Sequence, residues 1–250
     1  MKKLKAEDIW FTYTGEEYIL KGAALEAPAG TVTALAGPTG CGKSTLLLIL
    51  AGLLKPQRGR ITINGADLAD ILEEDRSIVG IVFQNPDDQL FNPTVYDEIA
   101  YAPRTLGLPE QEVRKMVLET AERLGITHLL DKPPYRLSMG QKRLVALASV
   151  LVYQPEILLL DEPSTFLDKY GLGKVEEIIE EYKKTNKIII MATHNLDMVL
   201  GHADNICILQ DGKTTCRPRE KATIEWITQT SLPIPSYMLK LIKTCSGRGA

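Results

Sequence analysis

The chain of 250 residues has little of what marks membrane, secreted or nucleic-acid-binding proteins. Its longest apolar stretch, around residues 46–54, is far shorter than the roughly 18 residues that cross a bilayer. Its basic start is followed by no apolar run, so the sequence predicts no signal peptide. A formal net charge of −3 argues against extensive binding to a nucleic-acid backbone, which requires a concentrated basic surface.

Cysteine is also scarce. The four cysteines (Cys41, Cys207, Cys216 and Cys245) lie far apart and match neither a metal-binding pattern nor an evident disulfide framework. The sequence therefore predicts a reduced, cytosolic protein, whose role at a membrane would depend on a partner. Apolar residues make up 44% of the chain, which is enough to bury a core.

What the chain does have is a complete G-x-x-x-x-G-K-[ST] motif at residues 37–45, called here the phosphate loop. Its residues are Gly37, Pro38, Thr39, Gly40, Cys41, Gly42, Lys43, Ser44 and Thr45. Apolar runs precede and follow it, as expected of a strand that leads into a helix. Backbone N–H groups and the helix N-terminus then converge on phosphate, Lys43 reaches the β- and γ-phosphates, and the Ser44 hydroxyl can ligate Mg²⁺. The motif predicts a nucleoside-triphosphate site; the alternative is a glycine-rich turn that happens to contain Lys-Ser.

The order of the remaining segments predicts an α/β fold. Strands are expected at 4–11 and 18–27 (a hairpin), 60–63, 78–83, 157–160 and 188–192, with a helix at 173–184 and a helix-rich segment from Pro86 to Gly140. The β–α–β order near the end favours a mostly parallel sheet covered by helices. A helical insert thus interrupts a nucleotide-binding core.

Two acids end a strongly apolar strand at Asp161 and Glu162. Ligands of α/β sheets bind beyond the carboxyl ends of the strands. Asp161 is therefore expected to hold Mg²⁺, and Glu162 to take a proton from the water that attacks the γ-phosphate. The alternative is that both acids only cap the next helix.

Two polar residues follow other predicted strands. Gln84 ends the strand at 78–83 and could ligate Mg²⁺ or orient water. His194 follows the strand at 188–192 and could hydrogen-bond the γ-phosphate and orient Glu162. A lone histidine at a strand end is, however, often an ordinary polar residue.

The segment Leu137-Ser138-Met139-Gly140-Gln141, called here the signature segment, opens a helix. Ser138 and Gln141 have the spacing of a capping box, which would explain them structurally. The same exposed helix N-terminus could also bind an anion.

Together these segments resemble the ATP-binding-cassette ATPases over nearly the whole chain. The resemblance rests on the phosphate loop, Gln84, the signature segment, Asp161-Glu162, residues 164–168 and His194 in that order. It implies a P-loop NTPase (RecA-like) core, an antiparallel β subdomain, a helical subdomain at about 86–146, a nucleotide-binding domain spanning 1–215 and a C-terminal extension at 216–250. It also implies a head-to-tail dimer with ATP between the copies.

The resemblance assigns further residues to that dimer. Ser138, Gly140 and Gln141 of one copy would contact the nucleotide on the other copy, Asp168 would cross the interface, and Tyr13 would stack on adenine. The alternative for Tyr13 is an ordinary strand tyrosine.

Residues 84–95 resemble the ATPase subunits of energy-coupling-factor importers, including the cobalt-type ones. This implies a membrane coupling protein and a substrate-capturing membrane subunit as partners, at the cytoplasmic face of the membrane, and no nucleic acid. The surface at Asp87–Gln89 would border the groove for the coupling protein, and the tail at 232–241 also fits this group.

The sequence departs from the family at two positions. Met139 replaces a glycine of the signature, and Leu144 stands where the family usually has an arginine, while Arg143 lies one residue earlier. Three alternatives stay open. One is an ATPase of another importer class for ions or amino acids. A nucleic-acid-associated cassette protein is disfavoured because long insertions are missing, and a P-loop kinase because it has no use for the signature segment.

Overall fold

The computed structural model describes residues 2–222 and 226–227. Its strands are β1 (Lys3–Phe11), β2 (Leu20–Pro28), β3 (Val32–Ala36), β4 (Arg58–Ile63), β5 (Ala66–Asp67), β6 (Val79–Val82), β7 (Ile157–Asp161), β8 (Ile188–Thr193), β9 (Asn205–Gln210) and β10 (Lys213–Pro218). Its α-helices are α1 (Lys43–Leu50), α2 (Leu68–Glu74), α3 (Val95–Thr105), α4 (Glu110–Leu124), α5 (Met139–Leu151), α6 (Lys169–Lys184) and α7 (Leu196–His202). The mixed α/β class predicted from the sequence is confirmed.

The larger sheet has the strand order β10-β9-β3-β8-β7-β6. All neighbouring pairs are parallel except β9 with β10, which are antiparallel. Strands β3, β7 and β8 are buried along their whole length. Continuous apolar sequence suits such strands, because helices or other strands cover both faces of a parallel sheet. Residues that follow β3, β6, β7 and β8 therefore meet at one edge.

The smaller sheet is antiparallel, with the order β2-β1-β4-β5. The predicted hairpin forms its first two strands, and Leu4 pairs with Ala27 in register. Its apolar side, helix α1 and one face of the larger sheet pack together in a single hydrophobic cluster. This packing holds α1, and with it the phosphate loop, between the two sheets.

The chain between β6 and β7 is helical, as predicted, and contains α3, α4 and α5. Helix α4 ends at Gly125, whose φ of 70° closes the helix in the left-handed conformation. Helix α5 packs against α3 and α4 and also against β6, so it joins this helical segment to the sheet.

Two expectations need correction. The helix predicted at 173–184 begins earlier, at Lys169, because the Asp168 side chain caps it through the amide of Gly171. Cys207 and Cys216 form a disulfide, so the prediction that the cysteines make no disulfide is wrong for this pair. They face each other across β9 and β10, two strands that were not predicted. The expected contribution of the tail at 232–241 lies outside the described residues.

Candidate functional site

The phosphate loop connects β3 to α1, as its sequence predicts. Gly37 has no room for a side chain, because a Cβ there would lie 2.6 Å from the Leu209 carbonyl oxygen and 2.7 Å from the Cys41 sulfur. Gly42 has a φ of 105° and immediately precedes α1, a conformation that glycine adopts without steric cost. A Cβ on Gly40 would meet nothing within 4 Å. The loop is therefore tight against β9 on one side and open on the other, where a phosphate can enter.

Lys43 is buried inside this loop, with 6% of its surface exposed. Its Nζ donates to the carbonyl oxygens of Gly37 at 2.9 Å and Pro38 at 3.1 Å. The same nitrogen lies 3.7 Å from Oε1 of Glu162. A cation that can bind a phosphate chain is thus held at the centre of the loop, and the carboxylate of the residue that follows β7 lies beside it.

Glu162 is buried, and its carboxylate is held at both oxygens. Oε1 accepts from the backbone N–H of His194 at 3.1 Å and lies 2.7 Å from the Nδ1 of the same residue. Oε2 accepts from the Thr193 hydroxyl at 2.9 Å. The structure therefore brings Glu162 and His194 together, as predicted, while the contribution of Thr193 was not predicted. Nothing in the local sequence of β8 singles out this threonine.

Asp161 lies beside Ser44, whose hydroxyl hydrogen-bonds its carboxylate. Burial raises the pKa of Asp161 above its usual value, against the smaller opposite effect of that hydrogen bond. Among the described residues its buried Oδ1 has no hydrogen-bond partner. A buried carboxylate oxygen without a partner, next to a hydroxyl, fits a Mg²⁺ ion, which prefers hard oxygen ligands. Gln84, the third predicted ligand, is exposed just beyond β6, the strand that pairs with β7.

We expect Asp161→Asn to raise the melting temperature of the nucleotide-free protein at pH 7. Because the native pKa is raised, the folded state binds the proton more tightly than the unfolded chain, and stability falls as pH rises past the usual value of 3.8. The neutral amide avoids that loss, which is expected to show as a gain on the order of a few degrees in calorimetry.

This gain in melting temperature should shrink as the pH falls to about 4 and below, because the carboxyl of the unfolded chain also becomes protonated around its ordinary pKa. The exposed Asp131 supplies the control, because Asp131→Asn should change neither value. A lower melting temperature of Asp161→Asn at pH 7 would contradict the assignment of a costly buried charge.

Two further predicted residues border the loop. Tyr13 is 59% exposed and follows β1, outside any strand, with its hydroxyl 3.3 Å from the Thr45 hydroxyl. An exposed ring beside the loop suits stacking on a base. Cys41 is half-buried, and burial raises the pKa of its thiol, which makes it less reactive than a free cysteine.

The signature segment opens α5 with the capping box that its spacing suggests. Ser138 Oγ accepts from the Gln141 amide at 3.3 Å, and Gln141 Oε1 accepts from the Ser138 amide at 3.1 Å. Because the Ser138 hydroxyl only accepts in the hydrogen bonds among the described residues, its proton is available to another partner. Within the part of the chain that the structure describes, no hydrogen bond joins this helix end to the phosphate loop.

The family follows from a comparison with known proteins. The model of the ABC transporter family matches residues 20–165, from β2 to the loop after Glu162. The chain belongs to the ABC transporter ATPase family. It is accordingly an ATP-binding, ATP-hydrolysing enzyme.

Individual relatives cover nearly the whole chain. It is 39% identical to the energy-coupling factor transporter ATP-binding protein EcfA of Methanocaldococcus jannaschii, over 93% of this chain and 85% of that protein. It is 37% identical to EcfA3 of Clostridium perfringens, over 98% and 89%. The structure of CbiO1 from Clostridium perfringens, part of the ABC transporter complex CbiONQ, superimposes with a TM-score of 0.76 and 37% identity, over 90% of this chain and 92% of that one.

None of the helices between residues 2 and 222 combines the length and the apolar character that crossing a bilayer requires. In the same part of the chain, no three side chains among His, Cys, Asp and Glu are grouped so that they could hold a metal ion.

Proposed function

We propose that this chain is the ATP-hydrolysing subunit that powers substrate import through a separate membrane coupling protein of an energy-coupling-factor transporter. The observation that carries the proposal is the cluster of Lys43, Glu162 and His194 at the phosphate loop. This cluster lies in a chain 39% identical to EcfA along nearly its whole length.

The chemistry assigned to these residues is hydrolysis of the γ-phosphate bond. Lys43 binds the phosphate chain and offsets its charge. Glu162 accepts the proton of the attacking water, and His194 holds the carboxylate in place through its ring and its amide. Mg²⁺, when bound by Ser44, Asp161 and Gln84, supplies positive charge to the phosphate oxygens.

The second half of the site belongs to another copy of this chain or to a sister chain. Ser138 is exposed at the start of α5 and has a hydroxyl proton to donate. The backbone N–H groups of the first turn of α5 lie at the same helix end and favour binding of an anion there. Because this helix end makes no hydrogen bond to its own phosphate loop among the described residues, we assign it to the nucleotide of the facing copy, together with Gly140, Gln141 and Asp168.

A cleft suits the membrane partner. It has a volume of about 720 Å³ and lies along β6, the last strand of the larger sheet, between the loop after α1 and helix α2. Apolar Leu53 and Ile81 and charged Arg76 line it. An apolar cleft with a few charged groups fits an amphipathic helix of a partner.

The surface at Asp87–Gln89, predicted to border that partner, is only partly available. Asp88 is exposed, and Asp87 pairs with Lys142 at 2.5 Å. Gln89 is turned inward, where its Oε1 accepts from the Phe83 amide and its Nε2 donates to the Ala146 carbonyl. Its side chain therefore holds α5 against the end of β6 rather than facing a partner.

The test is affinity purification of the tagged chain from detergent-solubilised membranes of its source. We expect two multi-spanning membrane proteins, without an extracytoplasmic binding protein, to accompany it. Leu53→Arg, at a cleft position that is 56% exposed, should reduce their recovery at least about tenfold. Leu118→Arg, at an exposed position of α4 outside the cleft, should not. Recovery of a binding-protein-dependent permease would favour another importer class, and ATPase activity stimulated by DNA would favour the nucleic-acid alternative.

A further inference from the structure

Arg143 is a charged side chain buried in the interior, with 2% of its surface exposed. It lies on α5, five residues after Ser138, where the helix passes below the carboxyl ends of β6 and β7. Burying an arginine is costly unless its donors are satisfied. The hydrogen-bond partners of its guanidinium therefore indicate the role of this residue.

The two terminal nitrogens of this guanidinium bind two different segments of backbone. Nη1 donates to the carbonyl oxygens of Phe83 and Gln84, the latter at 3.2 Å. Nη2 donates to the carbonyl oxygens of Asp161 at 2.5 Å and Glu162 at 3.1 Å. In each pair the two carbonyls flank one α-carbon: that of Gln84 for Nη1, and that of Glu162 for Nη2.

Holding the peptide groups on both sides of a residue restricts both of its backbone dihedrals. The restriction matters most at Glu162, whose φ is 47°. This left-handed conformation is uncommon for a residue with a side chain and persists only where the surroundings enforce it. Arg143 and the bond from the Glu162 amide to the Ala192 carbonyl, at 2.8 Å, supply that enforcement.

We propose that Arg143 is a positioning residue that sets the backbones of Gln84 and Glu162 with the two arms of one guanidinium and ties both to the helix that carries Ser138. The proposal rests on the function proposed above, because Gln84 and Glu162 are there assigned to the metal and to the attacking water. The planar fork of arginine reaches both carbonyl pairs at once, whereas a lysine ammonium has three donors at a single point.

The charge of Arg143 persists at neutral pH in spite of its burial. Burial lowers the pKa of Arg143 to about 10, and the nearby carboxylates of Asp161 and Glu162 oppose that shift. The guanidinium therefore keeps all its donors in the working range of the enzyme. Leu144, where the family has an arginine, is buried among the apolar side chains of the core, so Arg143 is the arginine of this turn that reaches the site.

The test compares Arg143→Lys and Arg143→Met with Arg123→Met in steady-state ATPase assays. Arg123 is the matched control, because it is an arginine in a surface ion pair with Glu181. We expect both changes at Arg143 to lower kcat roughly 10–100-fold with a KM for MgATP within about threefold of the parent. Arg123→Met should leave both constants unchanged.

A purely structural role would lower the melting temperature and leave kcat unchanged in the folded fraction, which would overturn the proposal. An unchanged kcat in Arg143→Lys would also overturn it. This variant keeps the positive charge, so it can still be tested if Arg143→Met does not fold. In the Glu162→Gln background, Arg143→Lys should cause a clearly smaller loss than in the parent, because the part of its effect that acts through Glu162 is already gone and only the part through Gln84 is left. An additive loss would contradict positioning of Glu162, whereas full activity of Glu162→Gln alone would contradict the proposed function.

Discussion

Glu162→Gln should lower kcat for ATP hydrolysis by roughly 10²–10⁴-fold, the usual contribution of a general base, while MgATP binding persists. The amide keeps the size of the carboxylate and can still bind His194 and Thr193, which hold both oxygens in the parent. It cannot accept the proton of the attacking water. Steady-state phosphate release and fluorescent-nucleotide titration measure the two quantities separately.

The same variant should accumulate a dimer in the presence of MgATP, because the closed form is no longer released by hydrolysis. Light scattering with and without nucleotide detects it, with a sister chain added if this chain does not pair with itself. Glu177→Gln, a change in a surface pair with Lys174, is the control and should behave like the parent. Equal losses of binding and turnover would remove Glu162 from the role of base.

Lys43→Ala should weaken ATP binding by at least about 100-fold, the order expected from the loss of a charged hydrogen bond in a buried site. The Lys43 ammonium is the cation at the centre of the phosphate loop, and it is bound to the loop carbonyls of Gly37 and Pro38. Its removal also leaves the Glu162 carboxylate without the cation that lies 3.7 Å away. Both effects weaken the binding of a polyphosphate.

Isothermal titration with the non-hydrolysed Mg²⁺ complex of an ATP analogue measures this loss. Lys115→Ala, at an exposed position of α4, controls for the general loss of one positive charge. Circular dichroism of Lys43→Ala should match the parent, which separates lost binding from lost folding. An unchanged affinity would show that nucleotide binds elsewhere.

Much of the fold could be predicted because its central strands are apolar over their full length and are punctuated by glycine-rich or polar turns. The strand before the phosphate loop and the strand that ends at Asp161 have this form, whereas the first strand of the hairpin shows alternation of buried and less buried residues. The short helices α2 and α7, of seven residues each, were missed because two turns show little periodicity. Strands β9 and β10 were missed although Asp211-Gly212 between them is a hairpin signal.

The disulfide shows a different limit. Cys207 and Cys216 are nine residues apart, and this spacing alone indicates no pairing. Once β9 and β10 form an antiparallel pair, their register sets the two residues opposite each other. The pairing depends on a register that composition does not reveal.

Residue types and their spacing along the chain were enough to predict the chemistry: a loop that binds phosphate, a lysine and a serine within it, and acids and a histidine at strand ends. What each of these side chains contacts became visible only in the folded chain. Three examples are hydrogen bonds between segments distant in sequence: from Gln89 to Ala146, from Thr193 to Glu162, and from Arg143 to the ends of β6 and β7. Such contacts arise when separate elements pack together, and no local pattern encodes them.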